Sequence, residues 1–192
     1  MGLFKNCFKI QQQILKKQGY LRQDSYKNLY IDSSMIKNIR GSDVVGINHY
    51  DRGRKGTKVS IIVTRSGIPL GIHFSGSNVH DIMLVEDLID KIEVKIIGSR
   101  LIGDKGYNSN RLKERLINNK SITLIYPKKR NQLENNTELE RQLLRSRNIV
   151  ENVFSWIQNN RRLRIRYERY LKNYESFYYI GLMGLIDKKI IY

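Results

Sequence analysis

Leu29-Tyr30-Ile31-Asp32 is the stretch on which the predicted fold depends, because it is a short apolar run that ends in an acidic side chain. Leu101-Ile102-Gly103-Asp104 repeats the pattern further along. Apolar runs of this length are typical of buried strands, so both aspartates are expected where a strand ends. Glu151 lies near the start of an apolar-periodic segment that predicts a helix. Two strand-end aspartates and a helical glutamate suit a magnesium-dependent DNA-cutting site, because Mg²⁺ prefers oxygen ligands and can activate an attacking oxygen.

The charge of the chain indicates its partner. Lys and Arg number 35 against 18 Asp and Glu, for a net charge of +17 over 192 residues. Such an excess repels itself unless a polyanion is near, so nucleic acid or an anionic membrane is expected. Membrane attachment is the weaker alternative, because the longest apolar stretch, residues 177–186, is half the roughly 20 residues that a span needs. We expect an intracellular, soluble, DNA-associated protein. Cys7 is the only cysteine, which excludes a disulfide framework.

The order of predicted elements favours an α/β fold with helices packed on a mixed sheet. The predicted elements are a strand at 28–36, a basic loop at 38–58, hairpin strands at 59–64 and 69–74, a helix at 81–92, a strand at 96–103, a helix at 109–119, a strand at 122–126, a loop at 128–137, a long helix at 138–160 and a last helix at 174–186. We expect one domain over residues 28–192, preceded by a helical or disordered lead-in over residues 1–27.

Each carboxylate also has an ordinary structural explanation. Asp32 precedes two serines and could be the N-cap of a helix. Asp104 lies between glycines and could be a turn residue. Glu151 has Arg147 four residues earlier and could simply pair with it. A 3/4 spacing predicts a core stripe on the same helix, formed by Ile149, Val153, Trp156, Ile157 and Asn160, which leaves Glu151 on a polar face.

Basic residues fall in two segments that suit DNA. Residues 52–58 read as a flexible basic loop that could clamp a phosphate backbone, or could simply be solvated. Residues 161–170 alternate arginines with tyrosines, which could stack on an unpaired base or pack against the domain. The residues expected to contact DNA are Arg54, Lys55, Lys58, Lys105, Arg147, Arg161, Arg162, Arg164 and Arg166.

With these residues in place, the chain resembles DDE transposases of bacterial insertion sequences over residues 28–186. The resemblance rests mainly on Gly103-Asp104-Lys105-Gly106-Tyr107 and on Arg147-Asn148-Ile149-Val150-Glu151. It implies an RNase H-like fold, with Asp32, Asp104 and Glu151 as a catalytic triad holding two Mg²⁺ or Mn²⁺ ions. It also implies cleavage at transposon ends, transfer of the freed 3′-hydroxyl into target DNA, and a homodimer on DNA.

Three departures from the family pattern shape the alternative hypothesis. Leu144 and Gln158 stand where many relatives carry a tyrosine and a lysine, and Arg65 stands where an aspartate is usual. Only 31 residues precede Asp32, too few for the helical domain that recognises transposon ends. The sequence therefore predicts an N-terminally truncated transposase. The alternative is a catalytically impaired remnant that acts only as a nonspecific basic DNA-binding protein.

Overall fold

The computed structural model describes residues 2–48, 52–128 and 135–191. Its elements in chain order are α1 (Leu3–Lys17), β1 (Asn28–Asn38), β2 (Gly46–Asn48), β3 (Arg54–Thr64), β4 (Pro69–Gly76), α2 (Asp81–Ile89), β5 (Arg100–Ile102), α3 (Asn110–Lys120), β6 (Thr123–Ile125), α4 (Glu138–Arg145), α5 (Asn148–Asn159), α6 (Arg161–Arg164), β7 (Ile165–Arg166) and α7 (Leu171–Ile191).

The central strand of the sheet is β1. It pairs antiparallel with β3 along most of its length and parallel with β5 at its start, and β7 joins parallel to its far end. β3 also pairs with β2 and β4, and β5 pairs parallel with β6. Leu29, Tyr30 and Ile31 are almost fully buried although successive strand residues point to opposite faces, so both faces of the sheet are covered here. The predicted α/β class, with a mixed sheet flanked by helices, is confirmed.

The hairpin predicted around Ser66-Gly67 is present as β3 and β4. Gly67 has a φ of 76°, a left-handed conformation that a residue without a Cβ adopts without strain. Helix α1 contacts the same hairpin, because its Gln12 donates hydrogen bonds to the carbonyl oxygens of Pro69 at 2.8 Å and Leu70 at 3.1 Å. Within the predicted lead-in at 1–27, residues 3–17 form α1, whose buried Phe8 contacts Tyr179 of α7 at 5.4 Å between ring centroids.

Two predicted segments were wrong in part. The loop predicted at 38–58 contains β2 and the start of β3, so Arg54 to Lys58 belong to a strand, where they pair with β2 and β1. The long helix predicted at 138–160 is divided into α4 and α5, because Ser146 ends α4. The hydroxyl of Ser146 donates a hydrogen bond to the carbonyl oxygen of Gln142 at 3.4 Å, and this local hydrogen bond competes with continuation of the helix. Residues 129–134 of the predicted loop at 128–137 lie outside the described residues.

The remaining boundaries moved by a few residues. The predicted strand at 96–103 shortens to Arg100–Ile102, and the last helix lengthens to Leu171–Ile191. Within the described ranges, no helix combines the length and apolar character needed to cross a bilayer.

Candidate active site

Asp32 lies in the middle of β1, not at its end. The strand continues through Asn38, so the N-cap alternative is wrong. The backbone N–H of Ser33 donates to Oδ1 of Asp32 at 2.8 Å. Burial raises the pKa of Asp32 to about 6 despite this hydrogen bond. A carboxyl whose pKa is raised this far by burial marks a candidate functional site.

Asp104 follows β5 and is brought level with Asp32 by strand register. Leu101 lies opposite Leu29 and Ile102 opposite Tyr30, and the same offset continued by two residues places Asp104 beside Asp32. Oδ1 of Asp104 also accepts the backbone N–H of Gly106 at 2.7 Å. Asp104 is therefore a turn residue, as the structural alternative predicted. The hydrogen bond orients its carboxylate but leaves the second oxygen available as a ligand.

Glu151 lies in the first turn of α5, and its carboxylate is 58% exposed. Arg147 contacts it at 3.3 Å across one helical turn, as the pairing alternative predicted. The residues of α5 that face the core are Val150, Val153, Phe154 and Ile157. The predicted core stripe was therefore displaced: Ile149 and Trp156 are only half-buried and Asn160 is exposed. Glu151 nonetheless lies on the open side of α5, as predicted.

The three carboxylates converge on one region of the molecule. The charges of Asp104 and Glu151 both contribute to the raised pKa of Asp32, while that of Arg147 opposes them. Their convergence was the uncertain step in the sequence argument, because no spacing rule places these residues together. In the side-chain positions of the described residues, no three acidic, histidine or cysteine side chains form a ready-made metal cluster. Their oxygen chemistry and excess negative charge nevertheless suit a hard divalent cation.

Tyr107 is a site residue that sequence reasoning did not single out. It lies in the short 3-10 turn after Asp104, is 1% exposed, and its hydroxyl lies 3.3 Å from the Ser33 hydroxyl. Burial raises the pKa of Tyr107 well above its ordinary value, and the charges of Asp81, Asp32 and Asp104 add to this. The phenol therefore stays neutral and closes the underside of the acidic site. An apolar aromatic directly after the Asp-Lys-Gly turn was the available signal.

Gln158, one of the departures from the family pattern, also belongs to the site. Its amide donates to the hydroxyl of Ser34 at 2.7 Å, two residues along β1 from Asp32. The contact ties α5 to the central strand. Asp81, whose charge adds to the raised pKa of Tyr107, forms an ion pair with Lys58 at 2.9 Å.

Two of the predicted DNA contacts face inward. Arg166 is fully buried, with its guanidinium held by Asp43, Thr57 and backbone carbonyls, so the prediction that it contacts DNA is wrong. Lys58 has a side chain only 13% exposed and donates to the carbonyl of Val79 at 2.6 Å. Lys58 therefore anchors the start of α2 instead of facing solvent.

The other predicted DNA contacts lie closer to the surface. Lys105 is exposed beside Asp104, whereas Arg147 is 22% exposed and paired with Glu151. Arg162 is exposed but is held by Glu168 at 2.9 Å and lies over the Phe177 ring. The remaining four, Arg54, Lys55, Arg161 and Arg164, are exposed and line one groove. The basic surface is therefore smaller than the sequence suggested.

A mixed sheet with an acidic triad at the junction of its antiparallel and parallel parts is the architecture expected of a DDE transposase. The chain belongs to the Transposase DDE domain family, which matches residues 24–183. It is 33% identical over 150 residues to a Burkholderia cepacia protein named "Putative transposase for insertion sequence element IS402". The matched region covers 73% of this chain and 67% of that protein. The piggyBac transposase synaptic complex with hairpin DNA, seen by cryo-EM, is 13% identical with a TM-score of 0.42, covering 65% of this chain and 29% of that one.

Proposed function

We propose that this transposase-family chain cleaves DNA at the ends of an insertion sequence and joins the freed 3′-hydroxyl to target DNA, using divalent metal ions. The observation that carries the proposal is that Asp32, Asp104 and Glu151 lie close together: burial is the main cause of the raised pKa of Asp32, and the charges of Asp104 and Glu151 add to it. Transposon ends and target DNA would be the substrates, and a homodimer on DNA is the proposed working form.

Asp32, Asp104 and Glu151 would hold the two Mg²⁺ or Mn²⁺ ions, since all three offer carboxylate oxygens, the ligands that these hard cations prefer. When bound, such ions activate the attacking oxygen and stabilise the leaving oxygen of a phosphodiester. The burial of Asp32 supports this role, because Arg147 only partly offsets the cost of ionising a buried carboxyl that has two further carboxylates nearby.

The other residues of the site have supporting roles. Arg147 holds Glu151 on the open side of α5 and reduces the repulsion between the acidic side chains. Tyr107 remains uncharged below them and excludes water from the base of the site. Lys105 is exposed one residue after Asp104, where it can take a phosphate of the DNA backbone.

Plasmid nicking tests the proposal. Supercoiled plasmid is incubated with the protein in Mg²⁺, in Mn²⁺ or in EDTA, and the nicked form is measured on a gel. We expect metal-dependent nicking that Glu151→Gln abolishes. Glu114→Gln is the matched control, because it removes an exposed glutamate from another helix, α3.

DNA binding by the same proteins separates the two functional hypotheses. Binding with no nicking in either metal would favour the remnant that only binds DNA. Nicking at the wild-type rate by Glu151→Gln would remove that residue from the triad.

A further inference from the structure

A basic groove of about 850 Å³ lies at the far end of β1, between the sheet and helices α5 and α6. Five cationic side chains line it: Lys37, Arg54, Lys55, Arg161 and Arg164. Among the described residues that line it, none is acidic. A concave surface of one sign concentrates the field of its charges, so the groove attracts a polyanion more strongly than the same charges on a flat surface.

Apolar side chains line the same groove. Met35, Ile165 and Tyr167 lie between the cations, and Tyr167 is 50% exposed. The outer surface of a DNA duplex presents phosphates and sugars, with its base faces stacked inside. An aromatic ring beside cations is instead the arrangement that binds single strands, because every unpaired base has a face that can stack.

The buried Arg166 holds this platform in place. Ile165 and Tyr167 flank it, and along an extended chain alternate side chains point to opposite sides. Because Arg166 points inward and is fixed by Asp43 and Thr57, its neighbours are directed into the groove. Tyr167 thus directly follows an anchored strand residue, which restricts its backbone before binding and lowers the entropy lost on binding.

The groove adjoins the acidic site. Gln158 lines the groove and also donates to Ser34, which is two residues from Asp32 along β1. Two strand residues span about 7 Å. A strand of DNA whose phosphodiester lies at Asp32 therefore has its neighbouring nucleotides within reach of the groove.

We propose that this groove binds an unpaired single strand of DNA next to the catalytic carboxylates. The cations contact its phosphates, and its bases stack on Tyr167 and pack against Ile165 and Met35. The volume of the groove lies in the range of small-ligand sites, which is enough for a few nucleotides of one strand. The inference rests on the proposed function only in taking DNA as the substrate.

Fluorescence anisotropy tests the inference with three labelled probes in EDTA, where no cleavage occurs. The probes are a blunt duplex, the same duplex with a single-stranded thymidine tail, and the tail alone. We expect the tailed duplex to bind more tightly than the blunt one, and Tyr167→Ala to weaken tail binding by about 5- to 100-fold. Tyr170→Ala is the control, because this tyrosine is 48% exposed but lies outside the groove. Thermal melting confirms that both variants fold.

Salt dependence tests the cations. The double variant Lys37→Gln/Arg164→Gln should lower the slope of log K against log salt by about 1.4 with the tail, at about 0.7 for each phosphate that is no longer neutralised. The control Lys16→Gln/Lys17→Gln removes the same charge from exposed positions on α1 and should leave the slope nearly unchanged.

The outcomes separate this inference from the proposed catalysis. Equal affinity for blunt and tailed duplexes, or equal losses from Tyr167→Ala and Tyr170→Ala, would overturn the single-strand groove whatever the result of plasmid nicking. A tail preference that disappears only in Tyr167→Ala would support the groove even if the protein fails to nick DNA.

Discussion

We expect the substitution Arg166→Met to lower the free energy of unfolding without directly removing a DNA contact. The guanidinium is 0% exposed and donates to the carbonyls of Glu168 at 3.1 Å, Asp43 at 2.8 Å and Arg169 at 3.1 Å, and to the Thr57 hydroxyl at 2.9 Å. It also forms an ion pair with the Asp43 carboxylate. Methionine fills part of the volume but offers no donor.

The expected loss of stability follows from the acceptors left behind. The Arg169 carbonyl keeps the Ser42 N–H at 2.9 Å, and the Asp43 carboxylate keeps the Leu171 N–H at 2.8 Å and is 43% exposed. The other acceptors lose the guanidinium donor, at about 1–3 kcal/mol for each buried group left unpaired. We expect a loss of about 3–5 kcal/mol, as for other broken buried pairs. That is a large part of a typical stability of about 5–15 kcal/mol.

Urea unfolding followed by circular dichroism measures this loss. With a slope of about 2–3 kcal/mol per molar urea, the midpoint should fall by about 1–2.5 M. Arg164→Met is the control, because Arg164 lies two residues earlier and is exposed in the groove. It should leave the urea midpoint nearly unchanged. It should lower the slope of log K for DNA binding against log salt by about one, as expected for the loss of one phosphate contact. An unchanged midpoint in Arg166→Met, together with a salt slope reduced by about one, would refute the structural role.

Three further predictions concern the site and its surroundings. Asp32→Asn should raise the melting temperature in the absence of metal, because it removes a buried charge. Mg²⁺ at about a hundred times its Kd should stabilise the wild type by about 2.7 kcal/mol but should not stabilise this variant. Equal shifts of the two melting temperatures on adding Mg²⁺ would contradict the role of Asp32 as a metal ligand. Gly103→Ala should cost about 1–3 kcal/mol in urea unfolding, because a Cβ there would lie 2.6 Å from the Tyr107 ring. Burial, aided by the charge of Lys91, lowers the pKa of His73. The unfolded chain therefore binds the proton first, and stability should fall as pH drops below about 6.5, a dependence that His73→Gln should reduce in unfolding measured across pH.

The sequence predicted the scaffold better than the site. Apolar runs and the Ser66-Gly67 turn located the central strand and the hairpin, because both signals are local. The break at Ser146 was missed, because the apolar periodicity continues across it and only a side-chain hydrogen bond marks the end of α4. The inward turn of Lys58 was missed for a similar reason, since its partner Asp81 lies 23 residues away in sequence and belongs to another element.

What the sequence determined by itself was the α/β class, the three acidic residues and the excess of positive charge. Composition, periodicity and short motifs are properties of neighbouring residues, so they can be read without a structure. Only the tertiary structure brought Asp32, Asp104 and Glu151 into one electrostatic site, because strand register and helix docking join residues far apart in the chain. It also decided which arginines reach solvent. Arg164 and Arg166 have the same side chain, but Arg164 ends helix α6 and faces the groove, whereas Arg166 lies in strand β7 and is buried against Asp43.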